Sequence, residues 1–136
     1  MNVTDLFLLG QRLQRIAESA VPADGIGEHS TGTGTVLLVA ADVRDHPRTT
    51  VTEIARRTGL AQSQVSNCVA RLRTADALLA EPDPRDGRRT LLSASAEPSP
   101  RLKAVRDAPL GPALSAATAD PEEALVLLER LSALLR

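Results

Sequence analysis

The sequence predicts a mainly α-helical fold with one small β-hairpin, and three observations support this fold class. Over most of the chain, apolar residues recur at steps of three and four, which is the spacing of one helix face. Residues 51–72 have the pattern of two short helices joined by a tight turn. Directly after them, two apolar segments, 78–81 and 90–94, flank a connection rich in Pro, Asp, Gly and Arg, as in a hairpin.

Length and composition are those of one compact domain. The chain has 136 residues, of which 43% are hydrophobic, so we expect a single domain with a substantial core over residues 1–136. Phe7 is the only aromatic residue, so Leu, Val, Ile and Ala must build that core. Stacking of unpaired bases on aromatic side chains, the usual way to bind single-stranded nucleic acid, is therefore excluded.

Charge is distributed unevenly along the chain. The formal net charge is -1, which argues against indiscriminate binding of polyanions. Residues 48–90 nevertheless contain eight arginines and five acidic residues, whereas the remainder contains eight basic and twelve acidic residues. The positive part of the molecule therefore coincides with the predicted helix pair and hairpin.

Two features favour a cytoplasmic protein with no membrane segment. No basic cluster precedes the first apolar residues, unlike a secretory signal. The longest unbroken apolar run, residues 36–41, is too short to cross a bilayer. The single cysteine, Cys68, excludes an intrachain disulfide and indicates no particular compartment.

The N-terminal part predicts two helices separated by a loop. The first helix covers about residues 4–20. Its apolar face consists of Val3, Leu6, Leu9, Leu13, Ile16 and Ala20. Residues 22–34 contain four glycines and are predicted to form a loop. A second helix follows at about 34–45 and ends before Pro47.

Prolines divide the C-terminal part. We predict a helix over about 100–108, a break at 109–112, and a continuation to about 118, because the prolines there cannot all lie inside one straight helix. The last helix starts at Asp120-Pro121-Glu122-Glu123, which combines a cap, a proline at the first position and acids in the first turn. Its apolar stripe is Leu125, Leu128, Leu131, Leu134 and Leu135.

The centre of the chain predicts a helix-turn-helix. After a short strand at residues 48–51, the third helix starts at Thr52, whose hydroxyl can cap it. It ends near Thr58, and Gly59 suits a left-handed turn position. The fourth helix covers about 62–74.

The residue types in this motif fit two crossing helices. A small residue (Ala55), a turn glycine (Gly59) and a branched apolar residue (Val65) have the required spacing. Cys68 lies on the buried stripe of the fourth helix, so it is interpreted as a core residue rather than a redox switch. Thr58 departs from the pattern, since an apolar residue is commoner there.

The exposed face of the fourth helix is short, polar and free of acids, as insertion into a major groove requires. The candidates for base contacts are Gln62, Gln64, Ser66 and Asn67. The candidates for phosphate contacts are Thr52, Ser63, Arg71 and Arg73. The alternative is a solvated polar face in a fold that binds no DNA.

The hairpin adds a specific resemblance. The predicted strands 78–81 and 90–94, with their connection 82–89, resemble the wing of the MarR family of winged helix-turn-helix transcription factors, including an Asp-x-Arg motif at Asp86 and Arg88. The resemblance implies that Asp86 supports Arg88 and that Arg88, with Arg89 beside it, enters a minor groove. A narrow minor groove has strong negative potential, which attracts a guanidinium on a thin hairpin.

The resemblance extends more weakly over the whole chain. It implies a winged helix-turn-helix (48–95) flanked by N-terminal (1–45) and C-terminal (97–136) dimerisation helices. It further implies a homodimeric regulator, as a repressor, of a pseudo-palindromic site in double-stranded DNA, relieved by a small-molecule effector. The surplus apolar stripes of the first and last helices fit dimerisation, with packing of these helices against each other as the alternative.

Other functions find little support in the residues. A winged helix that docks proteins without binding DNA is the alternative function. No arrangement of residues predicts an enzyme or a cofactor, and His29 and His46 do not have the neighbours of a metal site. By resemblance, an effector could bind near Arg12, Arg15, Arg44 or His46.

Overall fold

A computed structural model describes residues 1–22 and 32–136 of the protein. These residues form seven helices and one two-stranded antiparallel hairpin. In chain order they are α1 (Val3–Ala20), α2 (Thr33–Asp45), α3 (Val51–Thr58), α4 (Gln62–Thr74), β1 (Leu78–Asp83), β2 (Asp86–Ala94), α5 (Pro100–Arg106), α6 (Gly111–Ala117) and α7 (Pro121–Leu134). Most of the predicted loop at 22–34, with His29, lies outside the described residues.

The chain divides into two compact units. One contains α2, α3, α4, the hairpin and α5, and we call it the winged-helix unit. The other combines α1 with α6 and α7, and we call it the terminal unit. The mainly helical fold with a hairpin wing is thus confirmed, and α2 belongs with the winged helix.

The core of the winged-helix unit consists mainly of branched aliphatic side chains. Its main members, all at most 6% exposed, are Val36, Val39, Val43, Ile54, Val65, Cys68, Leu72, Ala77, Leu78 and Leu92. The α4 residues among them recur at helical spacing, so a single stripe of α4 faces α2, α3 and the hairpin. This packing leaves the opposite face of α4 to solvent.

The start of α3 differs from the prediction. The cap is Thr50, whose hydroxyl accepts from the backbone N–H of Glu53, while the Glu53 carboxylate accepts from the N–H of Thr50. This reciprocal capping box satisfies two backbone donors at once, which Thr52 as a cap could not do with Ala55 at the third helical position. The predicted cap at Thr52 is therefore wrong.

The predicted strand at 48–51 is reduced to a single bridge. Thr49 exchanges both backbone hydrogen bonds with Leu92, at 3.0 and 2.7 Å, and Val51 is already helical. The early capping box ends the extended segment after one paired residue. That residue still fastens the α2–α3 connection to β2.

The turn between α3 and α4 confirms the role of Gly59. Gly59 has φ 74° and ψ 7°, and its N–H donates to the carbonyl of Ala55 at 2.9 Å. Thr58, the departure from the expected pattern, uses its hydroxyl to donate to the carbonyl of Ile54 at 2.7 Å. The polar residue thus satisfies a backbone acceptor near the helix end.

The hairpin is longer and its turn tighter than predicted. Leu78 pairs with Ala94, Pro82 with Thr90 and Asp83 with Asp86, so only Pro84 and Arg85 form the turn and the predicted connection 82–89 is too long. The register shifts between Pro82 and Asp83. Residues 87–89 are consequently extra residues on β2, in the manner of an enlarged bulge.

The terminal unit contains two of the predicted C-terminal helical segments, α6 and α7, whereas α5 belongs to the winged-helix unit. The break before Pro112 is present, with α6 starting at Gly111, and the Asp120 carboxylate caps α7 by accepting from the N–H of Glu123 at 3.1 Å. Within the described chain, α6 packs against both α1 and α7 and contributes the buried residues Ala113 and Leu114. Neither α1 nor α7 contains a fully buried residue.

Over residues 1–22 and 32–136, no helix combines the length and the apolar character needed to cross a membrane.

Candidate nucleic-acid interface

The outer face of α4 carries every residue predicted to contact bases. Gln62, Gln64, Ser66 and Asn67 are all exposed. On the inner face, Val65 and Cys68 are fully buried, and they fix the rotation of the helix about its axis. The exposed face contains no carboxylate, so it presents donors and acceptors without repelling phosphate.

One of these residues also serves the helix itself. The side-chain oxygen of Gln64 accepts from the backbone N–H of Ala61 at 3.2 Å, and Ala61 stands at the N-cap without a capping side chain of its own. Sequence reasoning assigned Gln64 to bases and did not foresee this contact. Gln62, Ser66 and Asn67 lie around it on the same face.

The residues predicted to contact phosphate lie at the ends of the two helices. Thr52 and Ser63 are exposed in the first turns of α3 and α4, where backbone N–H groups and the helix dipole favour an anion. Arg73 is exposed and Arg71 half-buried in the last turn of α4. The exposed face of α4 that runs from Gln62 to Arg73 carries the residues predicted to contact bases.

Two aspartates shape the tip of the hairpin. The Asp83 carboxylate accepts from the N–H of Arg85 at 2.9 Å, and the Asp86 carboxylate accepts from the N–H of Arg88 at 3.1 Å. Asp86 therefore supports Arg88 through its backbone, as an Asx turn. The Arg88 residue is exposed.

Arg89 lies in a different environment from Arg88. A terminal nitrogen of Arg89 is 3.5 Å from Oε1 of Glu53 on α3, and the two side chains are 50% and 38% exposed. The other oxygen of Glu53 accepts from the Thr49 hydroxyl at 3.0 Å and from the Thr50 N–H at 3.2 Å. The hydrogen bond from Thr49 is the main reason that the pKa of Glu53 lies below its ordinary value.

A second arginine continues this network toward α2. Arg57 on α3 donates twice to Asp42 on α2, at 2.9 and 2.7 Å, and also to the Thr49 hydroxyl at 2.6 Å. The Asp42 side chain is only 9% exposed, so this bidentate pair is partly shielded from water. Hydrogen bonding to Asp42 raises the pKa of Arg57.

The base of the hairpin is tied to the same α2–α3 connection. Arg48 forms an ion pair with Glu81 on β1, and its backbone N–H donates to the Ser93 hydroxyl on β2 at 3.1 Å. Thr49 pairs with Leu92 directly beside it. The wing therefore cannot swing independently of the helices without breaking several contacts.

Sequence reasoning missed this network of Asp42, Thr49, Glu53 and Arg57. One signal was present, because Thr50 and Glu53 have the Thr-x-x-Glu spacing of a capping box. The partners of Arg57 and Arg89 could not be read in this way, because Asp42 and Glu53 lie 15 and 36 residues away along the chain.

The remaining polar candidates have local roles. Cys68 is fully buried, and burial raises the pKa of its thiol, which agrees with a core residue. A ring nitrogen of His46 lies 3.0 Å from the carbonyl of Asp42, at the end of α2. Among the described residues, no cluster of His, Cys, Asp and Glu could hold a metal ion, and His29 lies outside them.

A helix-turn-helix with an adjoining arginine-bearing hairpin defines the class of winged-helix DNA-binding proteins. Residues 33–89 match the family model described as MarR family. A probable transcriptional regulator from Pseudomonas aeruginosa is 29% identical with a TM-score of 0.57, over 92% of this chain and 94% of that one. The family match over residues 33–89 and the shared fold together support a winged-helix transcriptional regulator of the MarR family.

Two further solved structures share the fold. Wild-type MarR from E. coli in its apo form has a TM-score of 0.68 at 16% identity, covering 100% of this chain and 98% of that one. Reduced AbfR bound to DNA has a TM-score of 0.59 at 17% identity, covering 97% and 87%. No curated protein sequence matches the chain significantly.

Proposed function

We propose that the protein is a homodimeric repressor that binds a pseudo-palindromic site in double-stranded DNA. The α4 helices of the two protomers enter successive major grooves about one helical turn apart, and Arg88 of each wing enters the adjacent minor groove. The observation that carries this proposal is the exposed, acid-free face of α4 beside a hairpin whose tip presents an exposed arginine.

Direct base contacts come from the middle of the α4 face. Asn67 and Gln62 can each make two hydrogen bonds to an adenine, and the Ser66 hydroxyl can donate or accept. Gln64 joins them when its side chain exchanges the N–H of Ala61 for a base edge. Ser63 and Thr52, at the helix starts, and Arg71 and Arg73, near the end of α4, bind the flanking phosphates.

The wing contributes a contact of another kind. The Asp86 turn holds the backbone of Arg88 at the hairpin tip, so less freedom is lost when the guanidinium enters a narrow groove. A solved structure of the same fold shows reduced AbfR bound to DNA. We propose the same type of ligand for this chain.

Dimerisation involves the terminal unit. Large apolar side chains remain exposed on both of its long helices, among them Phe7 (74%) on α1 and Leu127 (56%) and Leu134 (75%) on α7. Exposed apolar residues at this density indicate a surface that another chain covers. A second copy of the protein is the partner that the family resemblance implies.

A small-molecule effector that releases the DNA completes the proposal, on the strength of the same resemblance. Of the four residues considered for it, Arg44 pairs with Asp45 and His46 lies against the end of α2. Arg12 and Arg15 are exposed on α1. Compounds that weaken DNA binding in a titration would identify the effector.

Selection of genomic fragments by the purified full chain tests the proposed function. The retained fragments should share an inverted repeat with half-sites about 10 base pairs apart. On such a fragment, Arg88→Ala should weaken binding by about 1–3 kcal/mol, whereas Lys103→Ala, an exposed cation on α5, should have little effect. Absence of any enriched sequence would reject the proposal, and equal affinity for the Arg88→Ala protein would reject the role of the wing.

A further inference from the structure

We propose that Arg89 is a positioning residue, which fastens the wing to α3 through Glu53, and that it does not contact DNA. Arg88 is then the DNA-contacting member of this adjacent pair. The inference rests on the proposed function, since it divides the work within the same hairpin. It also revises the assignment of Arg89 to the minor groove that the sequence favours.

Arg88 and Arg89 are neighbours in the chain, but their side chains have different surroundings. Successive side chains on an extended strand point to opposite faces. Both residues are exposed, but the Arg89 side chain lies against α3, with a terminal nitrogen 3.5 Å from the Glu53 carboxylate and 50% of the side chain accessible. A guanidinium that already pairs with a carboxylate of its own protein would have to leave that carboxylate before it could bind a phosphate or enter a minor groove.

Glu53 is held in place by contacts that do not involve Arg89. Its Oε2 accepts from the Thr49 hydroxyl and from the Thr50 N–H, which leaves Oε1 directed at Arg89. Thr49 is itself 2% exposed and is bonded to Leu92 and Arg57. Little side-chain entropy is therefore lost on the Glu53 side when the ion pair forms.

The ion pair is located where the pairing of the hairpin strands is irregular. The ladder between the two strands is regular from Leu78 to Pro82 and shifts register before Asp83, so residues 87–89 have no directly paired residue on β1. Arg89 emerges from this irregular segment. A link to α3 at that point restrains the part of the wing that strand pairing restrains least, and this part carries Arg88.

The expected size of the effect is modest. The pair is half-exposed, and exposed ion pairs contribute from about zero to 1 kcal/mol, which is up to about fivefold in an equilibrium constant. Such a value suits a residue that orients a neighbour. A direct phosphate contact would show itself differently, because each neutralised phosphate steepens the salt dependence of binding by about one unit on a log–log plot.

The test compares the full-length proteins Glu53→Gln, Arg89→Ala, the double variant, Arg88→Ala and Arg89→Lys on one selected DNA fragment over a range of salt. Glutamine keeps an oxygen for Thr49 and Thr50, so the helix cap is retained. Glu97→Gln, which removes an exposed carboxylate elsewhere in the winged-helix unit, is the control for net charge.

We expect Glu53→Gln and Arg89→Ala each to weaken binding by about two- to fivefold, with no further loss in the double variant and no change in salt slope. Arg89→Lys should recover part of the loss. Arg88→Ala should weaken binding more strongly and make the slope shallower by about one unit. Amide exchange in the DNA-free proteins should be faster at residues 88–90 in both Glu53→Gln and Arg89→Ala.

Three results would overturn the inference: a salt slope reduced by Arg89→Ala, additive losses in the double variant, or tighter binding by Glu53→Gln. Each would mean that Arg89 contacts phosphate and that Glu53 merely competes with it. If Arg88→Ala binds like the parent, the proposed role of the wing on DNA fails instead. Amide exchange then still decides whether Arg89 positions the hairpin.

Discussion

Asn67 illustrates what a single side chain contributes to sequence recognition. It is exposed on α4 one turn from Ser63, and its amide can donate to and accept from one base at the same time. We predict that Asn67→Ala loses about 1–3 kcal/mol of discrimination at one base pair in each half-site, with the other positions unchanged. Ser63→Ala, the matched control in the first turn, should weaken binding to all sequences equally. Binding-site selection with the two variants measures this, and an Asn67→Ala profile identical to the parent's would contradict direct readout.

Glu53 makes stability depend on pH. Its hydrogen bonds hold its pKa below the ordinary value of 4.5 in the folded protein, so the folded state binds the proton less readily than the unfolded state does. The resulting stabilisation is fully present above the ordinary value and is lost as the pH falls through the lowered folded pKa. Because the side chain is 38% exposed, solvent screening keeps the effect small.

The prediction concerns the difference in unfolding free energy between the parent and Glu53→Gln. That difference should be constant from about pH 6 to 8, and it should shrink as the pH falls below about 4.5, where the unfolded parent takes up a proton more readily than the folded parent does. Urea unfolding at a series of pH values measures it. A difference that stays constant down to about pH 3 would show that Glu53 does not titrate abnormally.

The sequence was sufficient to predict the surroundings of some residues of the candidate interface but not of others. The exposure of Gln62, Ser66 and Asn67 followed from helical periodicity, because the apolar stripe of α4 fixed which face was outside. The separate surroundings of Arg88 and Arg89 did not follow. They depend on a pairing across 36 residues that no local pattern encodes.

The turn between α3 and α4 provides the clearest prediction for an element. Gly59 is left-handed at φ 74°, and no atom lies within 4 Å of the position that a β-carbon would occupy. Gly59→Ala should therefore destabilise through backbone strain alone, by about 1 kcal/mol. Gly34→Ala, in equally open space but within α2, should instead stabilise by about 0.5–1 kcal/mol. Thermal unfolding of both variants checks the opposite signs, and destabilisation by both would rule out a purely conformational cause.

Elements were predicted well where a local signal marks both ends. The bounds of α4 agree with the prediction of 62–74, and the start of α7 agrees because Asp120 and Pro121 mark it unambiguously. The start of α3 was misplaced because Thr50 and Thr52 are both plausible caps, and only Thr50 has a glutamate three residues later. The hairpin turn was overestimated because bulged residues retain polar, turn-like sequences although the strand continues.

At the scale of the whole molecule, the sequence predicted the order of elements but not their grouping. The expectation of one domain combined α2 with the N-terminal helix, whereas contacts assign α2 to the winged-helix unit and α1 to the terminal unit. The valines of α2 face α3 and α4 because these provide a matching apolar surface. The periodicity of apolar residues shows that one face of a helix is apolar. It does not show which other helix or strand packs against that face.

The terminal unit leads to the last prediction, which concerns assembly. Phe7 on α1 is 74% exposed, and a surface of this kind should be covered by a second copy of the chain. We predict that Phe7→Arg converts the protein to monomers at micromolar concentration, because a buried, unpaired guanidinium opposes association. Ser19→Arg introduces the same charge at an exposed polar position of α1 and should leave the dimer intact. Sedimentation equilibrium of the two variants gives the association state.

The monomer should keep a folded winged-helix unit yet bind a full operator much more weakly than the dimer does. The reason is that the two half-sites would no longer be bound by two winged-helix units linked in one dimer. A Phe7→Arg protein that remains dimeric with full operator affinity would place the interface elsewhere.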